Sequence, residues 1–474
     1  MNHDAYREFL KYLEFTDDDL KNDLENFKYV CGRVGITEER LDSARTDWIP
    51  NNWNAQYKGV RMALGVLVKE FIDTCMTPKY KAEGNRLVYG ILPSHCNLYY
   101  ALEYADPSIF VSFPDILLTM VLNGILHMAG PFFEAAESEG LTPGCRHCPL
   151  NKMRYTAFMK GIIAAPDVIW SWGFNCDEGP KTDELIQNML GKEWRYVISR
   201  CPHDSLYGVD DDKVIRKVEH VASELRSGFN TICDIVGVKV LPEHFKQAND
   251  DFLRVSFKVA QLTQMICRAD PPVMSGNTLT VVSSFQLVPF NRGLKGMEDA
   301  IDTLLGELRQ AMKDGVGILP KGSPKVACYF DSAPVPWYDR IFLDNGVCTT
   351  YSLITSITKN QLNKNYISDD PFMVMAETWL RRGSIQNMGS DIESMVEKVE
   401  TNKPDGVIMG FFDFDRWLGA HQKIAAKKVE ERTGVPHFYM ECDFYDDRDY
   451  GMENMRTRIE SICQVLKMRK EMEE

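Results

Sequence analysis

The chain is short of positive charge. Its 474 residues carry 54 Lys+Arg against 68 Asp+Glu, a formal net charge of −14. Phosphate backbones are bound by basic faces, so no nucleic-acid partner is expected. Long apolar runs are missing too. The longest, Ile116 to Phe133, is interrupted by Asn123, His127 and Pro131 and weakened by Gly124 and Gly130. A membrane span needs ~20 mostly apolar residues, so that run predicts a buried helix and no membrane partner. The opening residues, MNHDAYREFLKYLEFTDDDL, show neither a basic n-region nor an apolar h-region; no signal peptide is expected, and the expected location is the cytoplasm. There is no GxxxxGK-Ser/Thr phosphate loop, no GxSxG elbow and no HExxH pair, and the nine histidines are scattered. ATP binding, elbow-type hydrolysis and zincin chemistry therefore lack a motif.

What is present is globular: 44% hydrophobic and 26% charged residues over a length that suggests several domains. Residues 1–80 are helical in pattern and rather polar, with Trp48, Trp53 and Tyr57 as docking residues. From 81 to 210 the pattern changes to strand, turn and helix. Leu87 to Ile91 is a short β-rich run closed by Pro93 and Ser94, Asp167 to Trp172 repeats the grammar with a helix from about Lys181, and Arg195 to Ser199 is a third strand. Residues 211–320 return to helical spacing, with Val214, Ile215, Val218, Val221 and Leu225 on one face, a second helix through Phe245 to Ile266, and a break at Pro271, Pro272 and Gly276. Residues 321–474 alternate again, with strands predicted in 325–336, 345–353, 405–417 and 434–447 and a closing helix. The predicted fold class is α/β, with two doubly wound parallel-sheet domains, a helical N-terminal extension and a helical connecting segment.

Thirteen cysteines are the chemistry-bearing feature. In a reducing compartment a group of them points to metal or catalysis more than to disulfides. Cys145 and Cys148 lie in Thr142-Pro143-Gly144-Cys145-Arg146-His147-Cys148-Pro149, where the turn residues keep the loop out of a helix and aim both sulfurs one way. Cys176 follows the strand at 167–172, where a parallel sheet presents ligands to a cleft. Three thiolates can hold three irons of a [4Fe–4S] cluster and leave the fourth open. The plainer reading is three ordinary loop cysteines, and a tetrahedral zinc with Cys96 or His147 as fourth ligand is a further alternative. Cys96, Cys201 and Cys348 are reserves, Cys442 is undecided, and Cys31, Cys75, Cys233, Cys267, Cys328 and Cys463 read as packing residues. Lys152, Arg154 and Lys160, at helical spacing after the loop, are candidates for a phosphate-binding patch, with a solvated helix face as the plainer reading.

The order of these segments resembles the subunits of the 2-hydroxyacyl-CoA dehydratase and benzoyl-CoA reductase family, from about residue 85 onward. The matching pieces are the cysteine loop, the strand ending in Asn175-Cys176-Asp177, the break Pro271-Pro272-Val273-Met274-Ser275-Gly276, Asp370-Pro371 with Ala376-Glu377, Asp405-Gly406-Val407-Ile408, Gly434-Val435-Pro436 and Arg456-Thr457-Arg458-Ile459-Glu460. The resemblance implies two flavodoxin-like domains and an oxygen-sensitive enzyme acting on an acyl-CoA by dehydration or reduction. It also implies a homologous second subunit or second copy, and a separate ATP-hydrolysing iron–sulfur activator, the only route by which ATP enters. No catalytic acid or base is assigned. One departure stands: the family's cluster subunits carry a further cysteine after the Asp-Gly-Val-Ile strand, and here that position is Phe412. Either the Cys145/Cys148 pair supplies the missing sulfur, or the cluster is lost, or a larger double-cubane cluster recruits Cys96, Cys201 or Cys348. The enzyme rival is a double-cubane-type reductase of small molecules; the non-enzyme rival is a silent structural subunit or a zinc-stabilised binding protein.

Overall fold

The computed structural model describes residues 4–91, 96–141, 147–172, 178–190, 193–200, 212–329, 335–354, 356, 365–381, 388–412, 416–442, 445–448 and 450–473. Helices make up most of residues 5–82. Their ends are written in the sequence: Thr16 and Asp19 cap the Asp17–Val34 helix reciprocally, and Gly35 closes it at φ 85°. The Lys58–Cys75 helix is buried along most of its length and packs on the Lys295–Asp314 helix, where a Cβ at Gly59 would run into Ala300 and Leu304. These N-terminal helices share one continuous hydrophobic core with the first sheet, Phe9, Leu64 and Phe71 joining Leu87, Val88 and Tyr89.

Two four-stranded, all-parallel sheets follow. The first holds β1 (Arg86–Gly90), β2 (Ile109–Ser112), β3 (Val168–Trp172) and β4 (Tyr196–Ser199) in the order β2-β1-β3-β4. The second holds β5 (Lys325–Cys328), β6 (Cys348–Ser352), β7 (Gly406–Phe412) and β8 (His437–Cys442) in the order β6-β5-β7-β8. Both are flavodoxin-like doubly wound orders that reverse beside the first strand, so the topological switch point of each lies between that strand and its inner neighbour, where sheets of this kind generally present ligands at their carboxyl ends. The two sheets share a register device. Asp167, just before β3, accepts the Leu87 N–H at 2.7 Å and donates its own N–H to Leu87; Asp405, just before β7, does the same with Lys325. Each carboxylate pins the amino edge of its sheet.

The segment between the sheets is helical, chiefly Asp212–Val236 and Pro242–Arg268. The run Ile116 to Phe133, predicted as one helix, is not one. The Pro114–Thr119 helix passes into a π-helical turn, Met120–Ile125, and breaks at His127, whose φ of 49° no helix tolerates. A new helix, Gly130–Ser138, starts after the break. β2, four residues long, is the strand that the sequence pattern missed. Among the described residues no helix is long and apolar enough to cross a membrane.

Candidate functional site

The carboxyl ends of β1 and β3 adjoin. Gly90 ends β1, and a Cβ there would collide with the Phe113 ring and the Tyr99 hydroxyl, so glycine is required for the close approach. Cys96, fully buried, opens the next helix, Cys96–Ala105. Cys176 falls in the connection after β3 and, like Cys145 and Cys201, lies outside the described residues.

Cys148 is described. It is the N-cap of the Pro149–Met159 helix, with Pro149 in the first helical position, and it is buried. Its backbone N–H donates to Glu178 Oε2 at 2.6 Å, and the Asn151 side-chain amide donates to the same oxygen at 3.3 Å. Glu178 is the first residue of the Glu178–Leu190 helix and stands two positions after Cys176. The ends of the two cysteine-bearing loops therefore abut, and two helix N-termini open side by side. A second tie lies one turn deeper. Arg154, fully buried, reaches Asp115 Oδ2 at 3.3 Å, Asp183 Oδ1 at 3.2 Å and the Gly179 carbonyl at 3.2 Å. Asp183 also accepts from Ser171 Oγ at 2.7 Å and Trp194 Nε1 at 3.2 Å. Burial pushes the Asp183 carboxyl up; Arg154, Ser171 and Trp194 pull it back.

Lys152 and Arg154 are thus neither a solvated face nor a phosphate patch. Lys152 is 3% exposed and its Nζ donates to Glu137 Oε1 at 2.7 Å. Helical spacing revealed the face but not the acids opposite it. Lys160 is exposed, over the Phe132 ring at 5.2 Å. His147, between the paired cysteines, keeps a buried Nδ1 without a hydrogen-bond partner among the described residues. Burial and then Lys152 pull its imidazole down.

The second sheet faces this corner through the loop after β8. Arg448 donates to Glu137 Oε1 at 2.6 Å and is itself held by Asp446 at 2.6 and 2.8 Å. Asp447 accepts from Trp337 Nε1 at 2.8 Å and pairs with His127 Nε2 at 3.2 Å, while the His127 ring stacks on Trp48 at 4.0 Å. Phe412 ends β7, and its register partner is Cys442, the last residue of β8. Cys348 begins β6 at the opposite, amino edge of that sheet. It is fully buried against the Met274 and Thr349 carbonyls, and burial drives its thiol well up. Cys31, Cys75, Cys267, Cys328 and Cys463 are buried and Cys233 is half-buried. Among the described residues no group of three or more His, Cys, Asp or Glu is placed to hold a metal ion. A cavity of about 640 Å³ opens at a different place, lined by Trp53, Asn54, Tyr57, Ser275, Gln310 and Arg340, with no residue of the cysteine loop in its wall.

Two four-stranded parallel sheets, with the starts of the Pro149–Met159 and Glu178–Leu190 helices joined through Cys148 and Glu178, define an α/β protein of two flavodoxin-like halves. The chain belongs to the family described as 2-hydroxyglutaryl-CoA dehydratase, D-component, whose model matches residues 96–466. It is similar to a benzoyl-CoA reductase subunit of Thauera aromatica, at 24% identity over 195 residues, 38% of this chain and 45% of that relative. It is also similar to the (R)-2-hydroxyisocaproyl-CoA dehydratase alpha subunit of Clostridioides difficile, at 20% identity over 317 residues, 65% of this chain and 74% of the relative. The chain thus spans less than half the length of the first relative.

Proposed function

We propose that this chain is the iron–sulfur subunit of an enzyme acting on acyl-CoA thioesters, by dehydration of a 2-hydroxyacyl-CoA or by low-potential reduction. Cys145, Cys148 and Cys176 hold a [4Fe–4S] cluster in the crevice of the first sheet. The observation that carries this reading is the 2.6 Å hydrogen bond from Cys148 N–H to Glu178, which brings the ends of both cysteine loops together. Cys148 is the one of the three that is described, and its surroundings suit the group. Helix N-termini of 11 and 13 residues open at the loops, and their dipoles favour thiolates and an anionic cluster. The Arg154–Asp183 pair braces the two helices, so their starts are held against each other. A cluster with one iron open supplies a Lewis-acid position and a one-electron relay. The chain's own part is to bind, orient and exclude water, with the loop after β8 closing over the Gly130–Ser138 helix through Arg448 and Glu137.

The partners that accompany this reading are a homologous second subunit or a second copy, a separate ATP-hydrolysing iron–sulfur activator, and an acyl-CoA. The working compartment is the reducing cytoplasm, and the working division is 1–80, 81–210, 211–320 and 321–474. A second reading is favoured by Cys96, buried where the β1 connection enters its helix, next to the strand that leads to Cys176. It is a larger, double-cubane-type cluster in a small-molecule reductase. Anaerobic purification and reconstitution with iron and sulfide measured decides between them: about four irons per chain supports the first, about eight the second. A colourless, iron-free protein sinks both.

A further inference from the structure

Glu178 stands where a loop ends and a helix begins, and its side chain makes the contact that joins the two helix starts of the site. Its carboxylate crosses from the start of one helix to the start of another. It accepts the Cys148 N–H at 2.6 Å and the Asn151 amide at 3.3 Å on one oxygen. The N-cap Cys148 makes no side-chain capping bond of its own to this helix. The N–H of the N-cap Cys148 and the Asn151 side-chain amide are both held by a residue of another helix, 30 positions from Cys148. In its own helix the Glu178 carbonyl takes the Thr182 hydroxyl at 2.8 Å, and the next carbonyl, of Gly179, takes the buried Arg154 guanidinium. Glu178 is therefore fixed at both its backbone and its side chain.

We infer that Glu178 is a positioning residue, resting on the iron–sulfur reading. It joins Cys148 to the start of the helix that follows Cys176, and it places a negative charge beside the backbone of a proposed cluster ligand. The two effects separate by chemistry. A neutral carboxamide at this position keeps an oxygen acceptor for the Cys148 N–H and removes the charge. An aliphatic side chain removes both. A fixed anion close to a cluster disfavours adding an electron, more so where water is excluded. Glu178 accordingly keeps the cluster a stronger reductant than the thiolates alone would make it, which suits a centre that must reduce a thioester or an aromatic ring.

The test uses the full chain, reconstituted anaerobically, as wild type, Glu178→Gln and Glu178→Leu. Glu178→Gln is expected to hold as much iron and sulfide as wild type, with a midpoint potential shifted positive and an altered EPR signal. Glu178→Leu is expected to lose at least half of its iron while its far-UV circular dichroism stays that of the wild type. Wild-type potential in Glu178→Gln overturns the charge role, and full iron in Glu178→Leu overturns the joining role. Unfolded Glu178→Leu leaves the Gln potential as the deciding measurement. Wild-type protein without iron defeats the cluster reading itself, an outcome distinct from iron-loaded variants that match wild type.

Discussion

Arg448 and Glu137 stand 311 positions apart in the chain and 2.6 Å apart in the fold. The pair ties the loop after the last strand of the second sheet to the helix that precedes the cysteine loop, and Glu137 passes the tie on to buried Lys152, one turn beyond Cys148. One carboxylate thus serves two cations, one from each α/β half.

Glu137→Ala is expected to be costly, because it leaves Lys152 buried and unpaired. Removing one partner of a buried pair costs on the order of 3 kcal/mol, discounted somewhat here because Glu137 is partly exposed. Burial pushes the Glu137 carboxyl up, but Arg448 and Lys152 more than offset it and hold the carboxyl below its ordinary 4.5. The stabilisation is then fully present above pH ~5 and is lost as the pH falls through the folded value. Urea denaturation at neutral and acid pH checks this: the wild type should lose more stability on acidification than Glu137→Gln. Equal acid sensitivity would count against the pairing.

Arg154→Met should destabilise in a pH-dependent way. The guanidinium is fully buried between Asp115 and Asp183, so its loss takes the cation from two buried carboxyls that keep neutral donors such as Ser171, Trp194 and the Ile116 N–H. The Asp183 carboxyl is already pushed up by burial and pulled back chiefly by Arg154. Without that cation it rises further, and the deficit grows as the pH climbs past the ordinary carboxylate range. A loss of about 3–5 kcal/mol at neutral pH should shrink near pH 5, read as melting temperature across a pH series. A deficit that does not change with pH would show that the cost is packing alone.

Much of the fold was legible because parallel strands buried on both faces read as apolar runs. The dipeptides Pro166-Asp167 and Pro404-Asp405 stand in front of β3 and β7. β2 escaped because four residues carry too little pattern, and the π-helical turn ending at His127 escaped because periodicity does not report a positive φ. The site was legible in part. Cysteines beside turn residues at strand ends are visible in sequence, whereas the acids that neutralise Lys152 and Arg154 come from elsewhere in the chain. Glu178 left one signal, an acidic residue opening a helix just after a cysteine, but nothing local pairs it with Cys148.

The cysteines should divide by iron content. Cys148→Ser and Cys176→Ser are expected to lose most of the iron bound after anaerobic reconstitution, and Cys267→Ser and Cys348→Ser to keep it. Cys267 is a buried thiol pushed up to about 12, and Cys348 lies at the amino edge of the other sheet. Both Ser variants of the second pair carry a buried hydroxyl, at a cost of roughly 1–3 kcal/mol, so a lower melting temperature with unchanged iron is their signature. Equal iron in Cys176→Ser and Cys267→Ser would refute the ligand assignment.

Asp447 also ties the two halves together. Its carboxylate joins Trp337 Nε1, at the start of the Trp337–Asp344 helix, to His127, and His127 lies flat on Trp48 at an interplanar angle of 6°. Burial pushes the carboxyl up, but the bonds from His127 and Trp337 prevail and hold it below its ordinary 3.8. Asp447→Ala leaves the Trp337 indole N–H buried without this acceptor, at a cost of about 1–3 kcal/mol. Trp48→Ala removes the stacked ring, a contact worth ~0.5–1.5 kcal/mol beyond its burial. Arg448 lies next to Asp447 and is a trypsin site, so undocking is directly readable. Limited trypsinolysis should cut after Arg448 faster in Asp447→Ala than in wild type, with Trp48→Ala intermediate. Cleavage at the wild-type rate in both variants would show that Arg448 and Glu137 hold the loop without the His127–Asp447 contact.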